Sequence, residues 1–250
     1  MGIIWKIIQT NAQGFLAGAL TTMQVAILGT LFGSCIGLLI GVVKTIPVKK
    51  TDNFFKRTLF VAINALLTVY IEVFRGTPMI IQAVVIYYGF AEWFGLHMSY
   101  LFAGVFVVSI NTGAYMSEIV RGGINSIDKG QFEAAHAVGM SHVQTMFCII
   151  LPQTIKNILP ATSNEFVINI KDTAVLNVIG LSELFFKTKG IYGKNFYYYQ
   201  TALIACAIYF ALTFTTTRLL RLLEKRLRGA ESYRVLGSRA ERLEDMKGAK

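Results

Sequence analysis

The sequence predicts an all-α integral membrane protein with about five transmembrane helices, and three observations carry that expectation. Of its 250 residues, 54% are hydrophobic and only 15% charged, where a soluble domain of this length carries roughly a quarter charged residues. The segments 14–43 and 201–217 contain no charged side chain. They leave no polar face to turn towards water, and about 20 mostly apolar residues suffice for a helix to cross the hydrocarbon. Finally, the net charge of +10 forms no patch interleaved with aromatic residues, as a nucleic-acid surface would. The basic residues stand at the edges of apolar runs, where the positive-inside rule places them.

The first predicted span covers 15–43. Gly29, Gly33, Gly37 and Gly41 recur along it every four residues, a ridge of small residues that lets another backbone approach closely. The ridge reads as internal packing, with a subunit contact as the alternative. Met1, Gly2, Ile3, Ile4, Trp5 and Lys6 make a poor signal peptide, because the short apolar stretch runs into Gln9 and Asn11, so the first span is expected to be retained. A basic loop follows with Lys44, Lys49, Lys50, Lys56 and Arg57. The next apolar stretch, 59–90, is too long for one straight span at about 1.5 Å per residue. Gly76 and Pro78 interrupt it, so a broken helix is expected there. A third span is predicted at 102–119, a polar loop at 121–160, a fourth span at 161–181 and a fifth at 200–220.

Of the 24 Lys and Arg residues, 18 fall in the loop 44–57, the loop 121–160 and the tail from Arg218. That bias places all three regions in the cytoplasm and the N-terminus outside. It requires 59–90 to cross only once. The expected organisation is a transmembrane domain over 1–228 and a charged cytoplasmic tail over 229–250.

Several function classes have no support. Cys35, Cys148 and Cys206 are far apart and form no CxxC pair, and His97, His136 and His142 lack metal-ligand spacing, so neither a disulfide framework nor a metal site is indicated. The nearest approach to a phosphate loop, 190–195, has the wrong spacing and no Ser or Thr after Lys194. No enzyme is expected in this chain.

The informative loop is 121–160. Glu133, Ala134 and Ala135 are followed after three residues by Gly139, and after nine more by Ile149, Leu151 and Pro152. Two alanines beside a Glu offer a slim helical surface that can enter a groove on a partner. Gly139 permits a sharp turn out of that helix, and Pro152 should stop the next segment. On these grounds alone the loop is either a docking or a structural element.

This pattern resembles the signature loop of the bacterial ABC importer permeases, E-A-A, three residues, G, nine residues, I-x-L-P, at every fixed position. The segment from Glu72 through Phe74, Arg75, Gly76, Thr77 and Pro78 to Met79 and Gln82 is similar to the E-x-F-R-G-T-P stretch of their polar amino acid branch. Asn164, Glu165, Lys171, Asp172 and Thr173 resemble that branch's N-E/Q-x5-K-D-[ST] segment. The resemblance implies a type I ABC importer fold in the bacterial cytoplasmic membrane. Its coupling helix, built around Glu133, Ala134, Ala135 and Gly139, would dock a separate ATPase subunit. No cofactor is expected on this chain, because ATP belongs to that subunit. The implied partners are a second permease copy or paralogue, a periplasmic or extracellular amino-acid-binding protein and a polar amino acid. The implied mechanism is alternating access.

Charged groups inside a membrane segment cost about 2.5–3.5 kcal/mol each on insertion scales and usually line a polar cavity. Glu165 and Asp172 are seven residues apart and share a helix face. They are the expected holders of the substrate's positive groups, with Lys171 near its carboxylate or near Asp172. Met79, Gln82 and Asn111 are expected to face the same cavity. The alternative for Lys171 and Asp172 is an ion pair that fixes helix register, and for Glu72 and Arg75 an i, i+3 pair. A Glu at 165 leans the substrate towards arginine or lysine, with glutamine and histidine open. The rival function is an ion-coupled secondary amino acid transporter, against which no internal repeat is found.

Overall fold

The computed structural model describes residues 2–47 and 53–228. Lys49, Lys50 and the tail 229–250 lie outside the described residues. The described chain is helical: α1 (Gly2–Val43), α2 (Phe54–Gly76), α3 (Met79–Phe94), α4 (Tyr100–Asn125), α5 (Lys129–Ala137), α6 (His142–Thr145), a π-turn (Met146–Ile150), α7 (Leu151–Asp172), a 3-10 segment (Thr173–Ile179), α8 (Leu184–Asn195) and α9 (Tyr198–Arg228). Among the described residues, four helices are long and apolar enough to cross a membrane: Gly2–Val43, Arg57–Gly76, Tyr100–Asn125 and Tyr198–Leu227.

The frame is the seam between α1 and α4, and glycine makes it. A Cβ on Gly33 would stand 2.6 Å from the Thr112 Cβ, and one on Gly41 2.6 Å from the Val120 Cγ1. Gly29 and Gly37 meet Val108 and Met116 in the same way. Without lipid-excluding water to drive them together, two membrane helices gain most from backbone approach this close. The ridge therefore serves internal packing. Both sets of contacts rise together in number, so α1 and α4 run in the same direction.

Parallel α1 and α4 allow only one net crossing between them, and α2 with α3 supplies it. Lys44, just beyond α1, donates to Thr68 at 3.2 Å and lies 3.9 Å from Glu118, at one end of α4. Phe74 reaches the middle of α4 through Asn111, and the ring of Tyr87 lies 5.8 Å from that of Tyr100 at the other end. The broken helix thus passes from one face to the other in two pieces, as its interrupted sequence requires.

From the far end of the polar loop, α7 returns antiparallel to α4. Ile158 fills the space beside Gly123, and Asn169 donates to Thr112. Because α7 carries Lys156, Glu165, Lys171 and Asp172, hydropathy alone does not mark it as a span. The 3-10 segment completes this crossing, with Leu176 and Leu181 against Gly104. α9 then runs back beside α7 and α1, so that the start of α1 and the end of α9 lie on opposite faces after five crossings.

Three expectations are corrected in detail. The first helix begins at Gly2, not near 15, because Thr10 and Asn11 satisfy their side chains on the carbonyls of Lys6 and Ile7 within the same helix. Pro152 does not stop a segment: it sits in the first turn of α7, where its missing N–H costs nothing, and the π-turn before it closes on an N–H of Leu151 to the carbonyl of Met146. The fourth helix starts at Leu151, ten residues earlier than the apolar run from 161, and Pro160 is accommodated inside it.

Candidate functional site

The chemistry gathers around the break between α2 and α3. Thr77 is extended (φ −121°, ψ 147°) and Pro78 begins the new helix without a backbone donor. The carbonyls of the last α2 turn therefore lose their helical partners. Side chains replace them. Gln82 donates to the carbonyls of Phe74 and Thr77, both at 2.9 Å, and lies 2.9 Å from the Thr77 hydroxyl. Asn111 donates to the Phe74 carbonyl at 3.2 Å and to the Gln82 amide oxygen at 2.9 Å. Gln82 is buried, and both ends of its amide are engaged within the protein. Gln82, expected to face the substrate cavity, here holds the carbonyls that the break frees, because freed carbonyls in a membrane demand donors. Met79 packs against the core cluster of Val25, Ala83 and Leu176. Asn111 is half-buried and belongs to the same network.

On α7, Glu165, Asn169 and Asp172 fall within about 60° of one another around the helix. Asn169, which the sequence reading passed over, ties three helices: its amide donates to Thr30 of α1 at 2.8 Å and to Thr112 of α4 at 2.9 Å. Its polar side chain one turn from Glu165 was the available signal. Glu165 is 8% exposed and makes no hydrogen bond or ion pair with a described residue. Asp172 is exposed and near enough to act electrostatically on Glu165.

Lys171 points elsewhere. It lines a cleft of about 350 Å³ with Phe185, Thr188, Cys206 and Tyr209, between α7, α8 and α9. It forms no ion pair with Asp172, since neighbouring helical residues diverge by about 100°. The register-fixing pair at these positions is therefore not formed, and neither is the pair of Glu72 with Arg75. Arg75 instead stacks over the ring of Tyr115, 5.4 Å from its centroid.

Two further carboxylates organise the site and were missed. Glu118 accepts from Arg121 in a fork, at 3.2 and 2.6 Å, with Lys44 at 3.9 Å. Its signal is the spacing 111, 115, 118, one polar and aromatic face of α4. Glu183 is fully buried: it accepts the N–H groups of Phe185 and Phe186 at 2.8 and 2.6 Å and the Tyr209 hydroxyl at 2.8 Å. It caps α8 and pins α9, a task for an anion at a helix N-terminus.

The polar loop projects beyond α4 and α7. Asp128 caps α5 by accepting from Gly130 at 2.6 Å. At its other end the Met140 N–H reaches the Ala135 carbonyl and the Gly139 N–H that of His136, both at 3.0 Å, with Gly139 at φ +82°. This is a Schellman end. A Cβ on Gly139 would meet nothing within 4 Å, so glycine is needed for its backbone conformation alone. Glu133, Ala134 and Gly139 are exposed. Ala135 is buried, correcting the expectation that both alanines face outwards: it faces back towards its own fold. Val138, Val143 and Phe147 are instead the exposed apolar residues of the tip, at 77%, 64% and 63%.

The family described as binding-protein-dependent transport system inner membrane component matches residues 33–229. The chain is 34% identical over 227 residues to the glutamine transport system permease protein GlnP of Escherichia coli (strain K12), covering 90% of this chain and 97% of that one. It is 32% identical over 213 residues to the arginine transport system permease protein ArtQ of Bacillus subtilis (strain 168), covering 85% and 92%. Among solved structures, an amino acid ABC transporter crystallised with histidines superposes with a TM-score of 0.76 at 36% identity, covering 88% of this chain and 96% of that one. The inward-facing MetNI methionine ABC transporter shares the fold, with a TM-score of 0.63 at 18% identity.

Proposed function

The chain belongs to the family of binding-protein-dependent transport system inner membrane components, and on that premise we propose that it carries polar amino acids inward by alternating access, powered by ATP on a separate subunit. It is a membrane permease of an amino acid ABC importer. The observation that carries the coupling role is the projecting loop. α5, capped by Asp128 and closed off by the turn at Gly139, presents Glu133, Ala134 and Val138 to whatever lies beyond the membrane. Phe132 of α5 packs against the cluster that includes Ile124, Ile127, Met146, Ile150 and Ile158, which joins α4 to α7. Force applied at the tip therefore reaches the helices that hold the site.

In this reading ATP binds the partner ATPase and no cofactor sits on this chain. The loop and the tail face the cytoplasm, and the N-terminus faces the binding protein outside. A second permease, identical or paralogous, closes the pathway, because α2 is barely buried by its own chain: only 6% of its apolar window is covered. The substrate's ammonium or side-chain cation lies near Glu165 and Asp172, with Asn111 and Met79 at the break. A buried carboxylate with no protein partner suits a cation arriving from outside, and this leans the substrate towards arginine or lysine. Glutamine and histidine meet the same requirement through their α-ammonium.

Uptake of labelled arginine, glutamine and histidine in cells expressing the chain with its ATPase tests the reading. Uptake should require ATP, and Gly139→Asp should abolish it while the protein stays in the membrane. Uptake that persists without ATP, or a fully active Gly139→Asp, would overturn it.

A further inference from the structure

Besides the cleft of Lys171, a smaller one of about 260 Å³ opens between α7 and α9. Ser163 and Asn164 line it from α7, and Thr217, Arg221 and Glu224 from α9, beside the apolar side chain of Leu220. The three polar α9 residues are spaced i, i+4, i+7 and share one helix face. Little of this polarity is engaged within the protein. The Thr217 hydroxyl donates to the Thr213 carbonyl at 2.7 Å, which leaves its oxygen as an acceptor. Ser163, Asn164, Arg221 and Glu224 make no hydrogen bond or ion pair with a described residue. By contrast Asn169, further along the same helix, has its amide bonded to both α1 and α4. Glu118 and Arg121, also three residues apart, close into an ion pair at 2.6 Å. Arg221 and Glu224 stay open, one turn apart, on the wall of a cavity.

The helix register gives the depth. Ile158 lies against Gly123 and Asn169 against Thr112 on antiparallel helices, so Asn164 is level with Ser117, the neighbour of Glu118. In the orientation given above this is the cytoplasmic end of the bundle. Glu165, the next residue, points about 100° away around α7. The cleft is therefore separate from the site that Glu165 marks, yet it shares a helix with it. The long apolar groove between α1 and α9, which suits acyl chains, runs along the far side of α9 through Thr215 and Leu219. A lipid seated in that groove keeps its headgroup away from Arg221 and Glu224, which favours a small polar molecule for the cleft.

The volume is just below the roughly 300–1,000 Å³ of sites for drug-sized ligands. A planar guanidinium holds a carboxylate through two parallel hydrogen bonds, and a carboxylate one turn away holds an ammonium. We propose that this cleft is a second binding site for a free α-amino acid, with its carboxylate on Arg221, its ammonium on Glu224 and Asn164 on the facing wall. It rests on the amino acid reading above only for the choice among small zwitterions and for the side of the membrane it faces. By bridging α7 to α9, such a ligand holds the helix that carries Glu165 and Asn169.

The test is equilibrium binding of labelled arginine and glutamine to the permease–ATPase complex in phosphatidylglycerol nanodiscs, carrying Glu165→Gln to weaken the first site. Saturable binding should remain, and Arg221→Gln or Glu224→Gln added to Glu165→Gln should weaken it by about 10–100-fold. The α-amides and the N-acetyl derivatives should each compete about 10-fold more weakly than the free amino acids. Arg221→Gln should remove the penalty on the amides alone, and Glu224→Gln that on the N-acetyl derivatives alone. A merely structural effect would shift both competitors together and overturn the assignment. The proposal also falls if all saturable binding disappears with Glu165→Gln, or if neither α9 variant shifts what remains. Retention of one phosphatidylethanolamine per permease from ethanolamine-lipid nanodiscs, lost on Glu224→Gln and with no amino acid bound there, would assign the cleft to a lipid headgroup instead. A wild-type complex that hydrolyses ATP yet binds neither amino acid refutes the polar amino acid reading itself, and this site with it.

Discussion

Adding one methyl group at Gly33 should destabilise the protein, whereas the same change at Gly122 should not. The Gly33→Ala Cβ would lie 2.6 Å from the Thr112 Cβ and 2.9 Å from the Ser109 carbonyl oxygen. Neither neighbour is the free end of a flexible chain. Relief requires the α1–α4 seam to open, an overpacking cost of about 1–3 kcal/mol. Thr112 also accepts from Asn169, which accounts for about another 0.5–1.5 kcal/mol if that bond lengthens. Against this stands the helix-propensity gain of Ala over Gly, about 1 kcal/mol. The net loss is about 1–3 kcal/mol, or a fall of roughly 2–12 °C in melting temperature for a chain of this size. At Gly122 an added Cβ would meet nothing within 4 Å, so only the propensity gain remains. Thermal unfolding of both variants in the same detergent, followed by tryptophan fluorescence or a thiol-reactive dye, measures the difference. Equal melting temperatures for Gly33→Ala and Gly122→Ala would refute the close-approach argument for the seam.

Gln82→Leu, close in volume, should leave the carbonyls of Phe74 and Thr77 short of donors and cost about 2–4 kcal/mol in stability. Its effect on uptake should follow the amount of folded protein in the membrane, so a normally abundant variant with a specific loss of substrate affinity would contradict the holding role. Glu165→Gln and Asp172→Asn should instead leave abundance unchanged and raise the KM for a cationic amino acid by about 10–100-fold. Unchanged KM in both variants would remove these carboxylates from the substrate site.

Much of the site was visible in the residues because membrane burial makes polar atoms conspicuous. Pro78 after Gly76 announced the helix break, and the break appears at Thr77. The carboxylates of Glu165 and Asp172 announced one polar face, and the helix places them there. The task of Gln82 was not visible, since a glutamine facing a substrate and one facing stranded carbonyls have the same sequence neighbours. That Lys171 lies in the cleft beside α8 and α9 while its neighbour Asp172 is exposed depended on where those two helices lie. Arg75 was paired with Glu72 by spacing, yet the ring of Tyr115, forty residues away in the chain, is its partner. Buried Glu183 sits between a short loop and a helix start, a position that reads as surface until Tyr209 closes over it.

The sequence by itself determined the spans, the broken crossing and the projecting loop, because the hydrocarbon dictates helix length and hydrogen-bond satisfaction segment by segment, without reference to the rest of the chain. Only the tertiary structure decided which polar groups answer each other. Asn169 meeting Thr30 and Thr112, Gln82 meeting Phe74 and Arg75 meeting Tyr115 depend on the depth and rotation of whole helices. Those are set by the glycine seam of α1 against α4, where a register shift of one residue would present a different face to every neighbour.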